Sequence, residues 1–203
     1  MDMINKAIKI RSWYGQFGNN LKQLNNAYYL AESNKAKVIY KNHPLLLESK
    51  KSNEIIKNGI FFRDNLKITD ETRRRISLEY IRPLLGEIVN IKVPSNIIVV
   101  HMRSGGSIFG RSPHKGYPQP PLDYYKKIFK HLNITDFSKI WVVCSSQLPQ
   151  NPMIRELEKL GCTIKQTPIK ESISIIANST TFVSAMSTFS KHLFFIWISS
   201  IHK

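Results

Sequence analysis

Arg103 follows an apolar stretch directly and precedes glycine, and this position predicts a site for an anionic ligand. The run Ile97–Val100 indicates a buried β-strand, so the arginine lies where that strand ends. Gly105 and Gly106 then allow backbone N–H groups to approach a ligand closely. An arginine beside such a turn, at the carboxyl end of a strand, suits a phosphate or a diphosphate.

A glycine-containing segment near the N-terminus could face the same kind of ligand. Gly15 and Gly18 come just before a helical pattern, and Asn19 and Asn20 add amide groups at its start. Glycines leave a helix N-terminus open to an anion, which the helix dipole favours at that end. The same residues could equally form a tight turn and a helix cap.

A hydroxyl-rich segment, Ser184–Ser190, is the third pattern of this type. Ser187 and Thr188 come after an apolar strand pattern and begin a helix. Their hydroxyl groups either cap that helix or share its N–H groups with a phosphate. His101 also has two interpretations, as a buried histidine that holds the turn or as part of the binding site.

The loop over residues 104–120 is long for a compact domain and rich in proline, glycine and aromatic residues. Loops of this length without secondary structure are usually functional. We identify His114, Tyr117 and Gln119 in it as candidates for acceptor binding or for shaping the loop.

The elements that position these residues alternate between strands and helices, which predicts an α/β fold with parallel sheets. In the first half the patterns predict a strand at Ala7–Trp13, a helix over residues 21–31, a strand at Lys37–Tyr40, an irregular segment over 41–65, and a helix from a cap at Thr69 or Asp70 to about Arg82. In the second half they predict strands at 97–102, 140–144, 163–166 and 181–184, with helices at 121–132, from Asn151-Pro152, at 171–178 and from Ser187. Pro94-Ser95 marks the predicted boundary between a domain over residues 1–94 and a domain over 95–203.

The formal net charge of +16 indicates an anionic partner: nucleic acid, an anionic membrane or a phosphorylated small molecule. The lysines are scattered and the longest basic run is Arg73-Arg74-Arg75. That distribution favours the small molecule, and no specific nucleic acid is expected. A basic nucleic-acid-binding protein is the alternative from another class, and steeply salt-dependent binding would identify it.

Two unclustered cysteines, Cys144 and Cys162, form neither a zinc motif nor a disulfide framework and are typical of a reducing compartment. We expect no metal ion and no cofactor, since there is no D-x-D motif and no cluster of metal ligands. The N-terminus has no apolar signal-peptide core, and the run Leu193–Ile198 is too short for a transmembrane helix. The sequence therefore predicts a cytoplasmic protein, and no feature indicates an oligomeric state.

In order and spacing, the three segments resemble the fucosyltransferase-like glycosyltransferases. The α-1,2 class carries a G-x-x-G-N-Q-type loop, an H-x-R-x-G-D turn and an S-x-S-T-F-S segment. The stretch His101–Tyr125 is also similar to a subgroup with H-I-R-S-G-D-I-F followed by H-P-G-Y-x-Q-P-P-L-x-Y-Y. The resemblance extends from about residue 8 to residue 192.

The resemblance implies a GT-B-like fold with two Rossmann-like halves, and metal-independent transfer of fucose from GDP-fucose to a glycan hydroxyl. Arg103 would bind the donor diphosphate and stabilise the leaving group, as the catalytic residue of the set. The donor-binding residues that it implies are Gly15, Gly18, Asn19, His101, Gly105, Glu171, Ser187 and Thr188. Asp123, Glu171 and His114 remain alternatives for the catalytic base.

The chain departs from the family pattern at two places. Gly106 occupies the position of the family's aspartate, so a carboxylate that could order the turn or assist catalysis is absent. The sequence also ends soon after the third segment, where relatives continue with another strand and helix. These departures raise the alternative of a degenerate relative, which is truncated or has dispensed with the last elements and binds a nucleotide sugar with weak or no turnover.

Overall fold

The computed structural model describes residues 6–88, 90–105, 109, 115–116, 118–146, 148–185 and 187–197. It divides into two compact units between residues 88 and 89, a few residues before the predicted boundary at Pro94-Ser95. Each unit contains one parallel sheet with helices: in the second unit a helix joins every pair of consecutive strands, and in the first unit a helix joins only the first two strands. The predicted α/β class is thereby confirmed, as are its two Rossmann-like halves.

The first unit is built around a three-stranded parallel sheet of order β2-β1-β3. Its strands and helices are β1 (Lys6–Ile10), α1 (Phe17–Ser33), β2 (Lys37–Tyr40), β3 (Glu54–Gly59), α2 (Asp70–Ile76) and α3 (Arg82–Leu84). A π-helical stretch, Ser77–Ile81, joins α2 to α3. Thr69 caps α2 as predicted, because its side chain accepts a hydrogen bond from the Thr72 N–H at 3.2 Å.

Three predicted elements of this unit were wrong in extent or kind. The first strand ends at Ile10 rather than Trp13, and α1 begins at Phe17, so Gly18 and Asn19 lie inside its first turn. The segment expected to be irregular contains β3. Its side chains are exposed from Glu54 to Asn58, so the strand lacks the alternation of apolar and polar residues that predicts a half-buried strand.

The second unit contains a four-stranded parallel sheet of order β6-β5-β4-β7. Its elements are β4 (Ile98–Met102), α4 (Leu122–His131), β5 (Ile140–Cys144), α5 (Pro152–Lys159), β6 (Thr163–Gln166), α6 (Ile169–Ala177), β7 (Thr181–Val183) and α7 (Thr188–Trp197). All of these lie within a few residues of the predicted positions. No helix among the described residues is long and apolar enough to cross a membrane.

The central strand β4 is buried along its whole length because helices cover both of its faces. On one face, Val100 and Met102 join a core with Tyr125 and Phe129 of α4. On the other face, α6 contacts the strand. The apolar run that predicted this strand is therefore the pattern expected for the middle of a parallel sheet.

The order of the strands creates a switch point beside β4. The chain passes from β4 to β5 and then to β6 on one side, and β7 then pairs with the other side of β4. Open α/β sheets bind ligands at such a point, outside the carboxyl ends of the strands. The loops that follow β4 and β7 flank this switch point, so we expect a ligand-binding site between them.

Candidate functional site

The turn after β4 carries Arg103, Ser104 and Gly105. Gly105 has a φ of +98°, a backbone conformation that L residues with side chains rarely adopt. Its N–H donates to the carbonyl oxygen of Pro149 at 3.0 Å, which fixes the turn against the loop that follows β5. The half-buried Arg103 is thus held at the carboxyl end of the central strand, as the sequence predicted.

The segment after β7 forms a capped helix start. Ser187 caps α7, because its Oγ accepts a hydrogen bond from the Ser190 N–H at 3.0 Å. The same Oγ donates to Ser190 Oγ at 3.0 Å. Of the two interpretations of Ser187, the structure shows the helix cap. Thr188 is the first residue of the helix and is half-buried.

His101 connects these two segments across the switch point. Its Nδ1 lies 2.6 Å from Ser190 Oγ, and its ring centroid lies 5.2 Å from that of Phe189. A chain of hydrogen bonds therefore runs from Ser187 through Ser190 to His101, two residues before Arg103. The second and third predicted segments lie together, and His101 is a buried residue that joins them.

The imidazole of His101 is held in its uncharged form. Burial lowers the pKa of His101 to about 4, and the positive charge of Arg103 acts in the same direction. The ring therefore adds no positive charge at neutral pH. Any positive side-chain charge that this turn offers an anion comes from Arg103.

The pKa of His101 predicts how the stability of the protein changes in acid. The unfolded chain binds a proton near pH 6.5 and the folded chain only near pH 4, so stability is complete above pH 6.5 and falls between these values. The expected contribution is about 1.4 kcal/mol of unfolding free energy per pH unit. His101→Asn should flatten this dependence in urea unfolding from pH 7 to pH 4. The matched change at exposed His131 should leave the dependence as it is, and equal slopes for His101→Asn and wild type would contradict the assignment.

Asn151 is a residue of this site whose role the sequence showed only in part. Its Oδ1 accepts the Met153 N–H at 2.9 Å and so caps α5, as predicted. Its Nδ2 donates to the Arg103 carbonyl at 3.1 Å and to Gln119 Oε1. Its backbone N–H donates to Ser104 Oγ at 3.4 Å. Asn151 is fully buried and ties the turn after β4 to the start of α5.

Gln119 holds the long loop in place. In addition to the bond from Asn151, its Nε2 donates to Pro120 O at 2.8 Å and to the Tyr125 hydroxyl at 3.1 Å. Of the two roles predicted for Gln119, these contacts show the one that shapes the loop. The other two loop candidates, His114 and Tyr117, lie outside the described residues, as does Gly106.

Glu171 lies in the first turn of α6, after the edge strand β6. The carboxyl end of β6 is at the same edge of the sheet as that of β4, with β5 between them. Two strand spacings amount to about 10 Å. This spacing separates the ends of β4 and β6, and a contact between Glu171 and a donor stays a prediction.

The predicted glycine loop belongs to the first unit, where it forms a tight turn. Gly15 has a φ of +65°, and a Cβ atom there would collide with the side-chain amide of Asn19. Gly18 is buried in the first turn of α1. The Asn19 N–H donates to the Gln16 carbonyl at 2.8 Å, as in a normal helix start.

Asn20, which we expected to offer its amide to a ligand, is instead buried and bonded within the protein. Its Nδ2 donates to Tyr14 O at 3.1 Å and to Gln23 Oε1 at 3.2 Å. Its Oδ1 lies 3.2 Å from Nε2 of His43. Residues three or four apart lie on the same face of a helix. Asn20 therefore shares the buried face of α1 with Gln23 and Leu24.

A network of amides on α1 fixes the loops at the carboxyl edge of the first sheet. Gln23 is fully buried, and its Nε2 donates to Ser12 O at 3.0 Å and to Ile60 O at 2.6 Å. Asn26 donates to Phe61 O at 2.7 Å. The loops after β1 and β3 are thus joined through one helix. The sequence shows the run of amide residues in α1. It does not show that their hydrogen-bond partners include Ile60 and Phe61, which lie more than 30 residues away in the chain.

The two cysteines are buried, and the part of the chain that the structure describes holds no candidate group of metal ligands. Cys144 and Cys162 are buried, and burial raises the pKa of each thiol to about 11, so both are protonated at neutral pH. No group of three or more histidine, cysteine or acidic residues is close enough together to hold a metal ion among the described residues.

Comparison with known proteins does not identify a family. A scan against models of protein families finds no match for this chain, and a search of the curated proteins also finds none. Function has to be inferred from the residues of the chain and from their geometry.

Proposed function

We propose that this protein is a fucosyltransferase-like glycosyltransferase that transfers fucose from GDP-fucose to a hydroxyl group of a glycan. One observation carries the proposal: Arg103 and the start of α7 flank the switch point of the second sheet, joined through His101 and Ser190. That position is where Rossmann-like sheets bind nucleotides. Two of the three sequence segments that resemble this enzyme class, the one at His101 and the one at Ser187, lie at this switch point.

The chemistry of the transfer explains why an arginine is needed there. As the bond between the sugar C1 and the phosphate oxygen breaks, negative charge develops on the departing GDP. The Arg103 guanidinium can donate two parallel hydrogen bonds to phosphate oxygens, and the N-terminus of α7 adds partial positive charge. These groups stabilise the leaving group where enzymes of other classes use a metal ion. The acceptor oxygen forms the new bond to C1, and its proton passes to a base, for which Asp123, Glu171 and His114 are the candidates.

The direct test is calorimetry with GDP and the full chain. We expect GDP to bind with the same Kd in EDTA as in magnesium or manganese, because Arg103 and the helix N-terminus provide the positive charge. UDP and CMP serve as matched nucleotides and should bind more weakly. Binding that requires a divalent metal would refute the proposed mechanism.

A second candidate function is supported by Gly106, where the resembled motif has aspartate. If that carboxylate is needed for turnover, the protein binds the nucleotide sugar and transfers it barely or not at all. A transfer assay with GDP-fucose and a panel of glycan acceptors separates the two candidates. Thermal stabilisation by GDP without transfer identifies the binding protein, and product formation identifies the enzyme.

A further inference from the structure

The carboxyl edge of the first sheet displays aromatic rings beside cationic side chains. We call this set the aromatic–basic surface, and its members are Trp13, Tyr14, Lys22, Lys41, Phe62 and Arg63. They come from the loops after the three strands and from the first turns of α1. Parallel strands bring these loops to one edge of the sheet, which is where α/β units bind ligands.

Tyr14 and Phe62 form the centre of the aromatic–basic surface. Their rings stack with centroids 4.6 Å apart and an angle of 30° between the ring planes. Lys22 Nζ lies 4.6 Å from the centroid of Phe62, and the Arg63 guanidinium carbon lies 5.8 Å from that of Tyr14. Tyr14 is 39% exposed, and the Arg63 side chain is exposed as well.

Trp13 extends the surface toward the loop after β2. Its ring contacts His43 edge to face with centroids 4.9 Å apart, and its Nε1–H donates to the Lys41 carbonyl at 3.1 Å. The indole also contacts the ring of Tyr40, with centroids 5.5 Å apart, and is still half-exposed. Lys41, which follows β2 directly, is exposed beside it.

The loops that carry these rings are held in place before any ligand arrives. Gln23 Oε1 accepts the Tyr14 N–H at 2.8 Å, and its Nε2 bonds the carbonyls of Ser12 and Ile60 on either side of the surface. His43 Nδ1 accepts the Leu45 N–H at 3.1 Å. A ligand that binds such a preorganised surface loses less free energy to ordering of the protein.

The charge of the surface selects the ligand. The chain beside this edge, residues 11–16, 41–48 and 60–64 together with Lys22, contains four lysines or arginines and two carboxylates. Glu48, one of these carboxylates, accepts a hydrogen bond from Asn42 at 3.2 Å. An excess of cations beside partly exposed aromatic rings favours a ligand that has both an apolar ring face and negative charges.

We propose that the aromatic–basic surface binds an acidic oligosaccharide, one with carboxylate, sulfate or phosphate groups. The apolar C–H face of a sugar ring packs on Trp13 and on the exposed part of Tyr14, while Lys41 and Arg63 pair with its acidic groups. A single-stranded nucleic acid needs a succession of open ring faces. Tyr14 and Phe62 each already contact another ring and a cation, so the surface suits one or two sugar rings better than a strand of bases.

Within the proposed function, the acidic oligosaccharide is the acceptor, and this step of the inference rests on the transferase proposal. Binding itself does not rest on it. The experiment therefore measures saccharide binding without GDP-fucose, and GDP binding is measured separately on the same samples. If GDP binds and the saccharide does not, only the proposal for the aromatic–basic surface is refuted. If the saccharide binds and GDP does not, only the proposed donor site is refuted.

The probe is tetragalacturonate, with its fully methyl-esterified form as the neutral counterpart of the same backbone. Calorimetry at low salt should show tetragalacturonate binding to the full chain at least tenfold more tightly than the ester. The double variant Lys41→Ala/Arg63→Ala should lower that affinity at least tenfold. The matched variant Lys126→Ala/Lys130→Ala removes the same charge from exposed positions on α4 and should bind as wild type.

Four results would overturn the proposal. In the first, tetragalacturonate does not bind, and in the second, the acid and its ester bind equally well. In the third, the α4 variant loses as much affinity for tetragalacturonate as Lys41→Ala/Arg63→Ala does, which would indicate non-specific attraction. The fourth is tighter binding of an eight-residue oligothymidylate, which would assign the surface to nucleic acid. Tyr14→Ser should weaken binding of both saccharide forms, and circular dichroism spectra confirm that each variant is folded.

Discussion

Arg103→Ala is expected to weaken GDP binding by roughly ten- to a hundredfold while the second unit stays folded. In the proposed donor site, the substitution removes a charge-assisted, bidentate hydrogen bond to the diphosphate, and such a bond contributes about 1.5–3 kcal/mol. Arg103 is half-buried at the end of β4, and its backbone carbonyl still accepts the bond from Asn151 in the variant. Calorimetry with GDP measures the affinity, and circular dichroism measures the fold.

Two further variants sharpen this test. Arg103→Lys keeps the charge and loses the planar guanidinium, so its affinity should fall between those of wild type and alanine. Arg155→Ala removes an exposed arginine from α5 of the same unit and should bind GDP normally. An Arg103→Ala protein that unfolds would assign this residue to structure. One that is folded and binds GDP as wild type would remove Arg103 from the donor site.

Asn151→Ala is expected to cause a large loss of stability, about 2–4 kcal/mol of unfolding free energy. Loss of the helix cap costs about 1 kcal/mol, and the acceptors on Arg103 and Gln119 lose a buried donor, which adds about 1–3 kcal/mol. Urea unfolding followed by circular dichroism gives the difference from wild type. GDP affinity should also fall, because the turn that presents Arg103 is no longer tied to α5.

Asn151→Ser is the matched variant, since its hydroxyl oxygen can still cap α5 while the amide that bonds Arg103 and Gln119 is lost. Its stability should therefore lie between those of wild type and Asn151→Ala, with the remaining loss due to the Arg103 and Gln119 contacts. If the unfolding free energies of both variants lay within about 0.5 kcal/mol of wild type, the hydrogen bonds of Asn151 would not stabilise the turn.

The sequence predicted most of the second unit because its signals are local. The strands at Ile98–Met102 and Ile140–Cys144 are marked by the apolar runs Ile97–Val100 and Ile140–Cys144, and the helix at Asn151-Pro152 has a cap and a proline in its first turn. In the first unit, β3 has no such signal, since an exposed edge strand needs no apolar alternation. The spacing of apolar residues indicates which side of an element is buried. An element with few buried residues, such as β3, therefore shows no such spacing.

The candidate site was predictable at Arg103 and only partly around it. A strand end followed by glycine is visible within a few residues, so Arg103 and Gly105 could be placed before the fold was known. The bonds from Asn151 to Arg103 and from Gln23 to Ile60 join residues far apart in the chain. An amide side chain can both donate and accept, so it suits a turn, a helix cap or a buried network equally well. Its hydrogen-bond partners can be assigned only when the order of the strands in the sheet is known.

The order of the strands also sets the order in which this protein can fold during synthesis. In each unit the central strand is the first to be made, and it pairs with both the next strand and the last one. Val100 therefore pairs with Val142 as soon as β5 is available, but it pairs with Val183 only when nearly the whole unit has been made. Until then one edge of a strand that is fully buried in the native protein is open to other chains. Pairings between such distant residues form slowly, so the nascent chain is exposed to aggregation until β7 is complete.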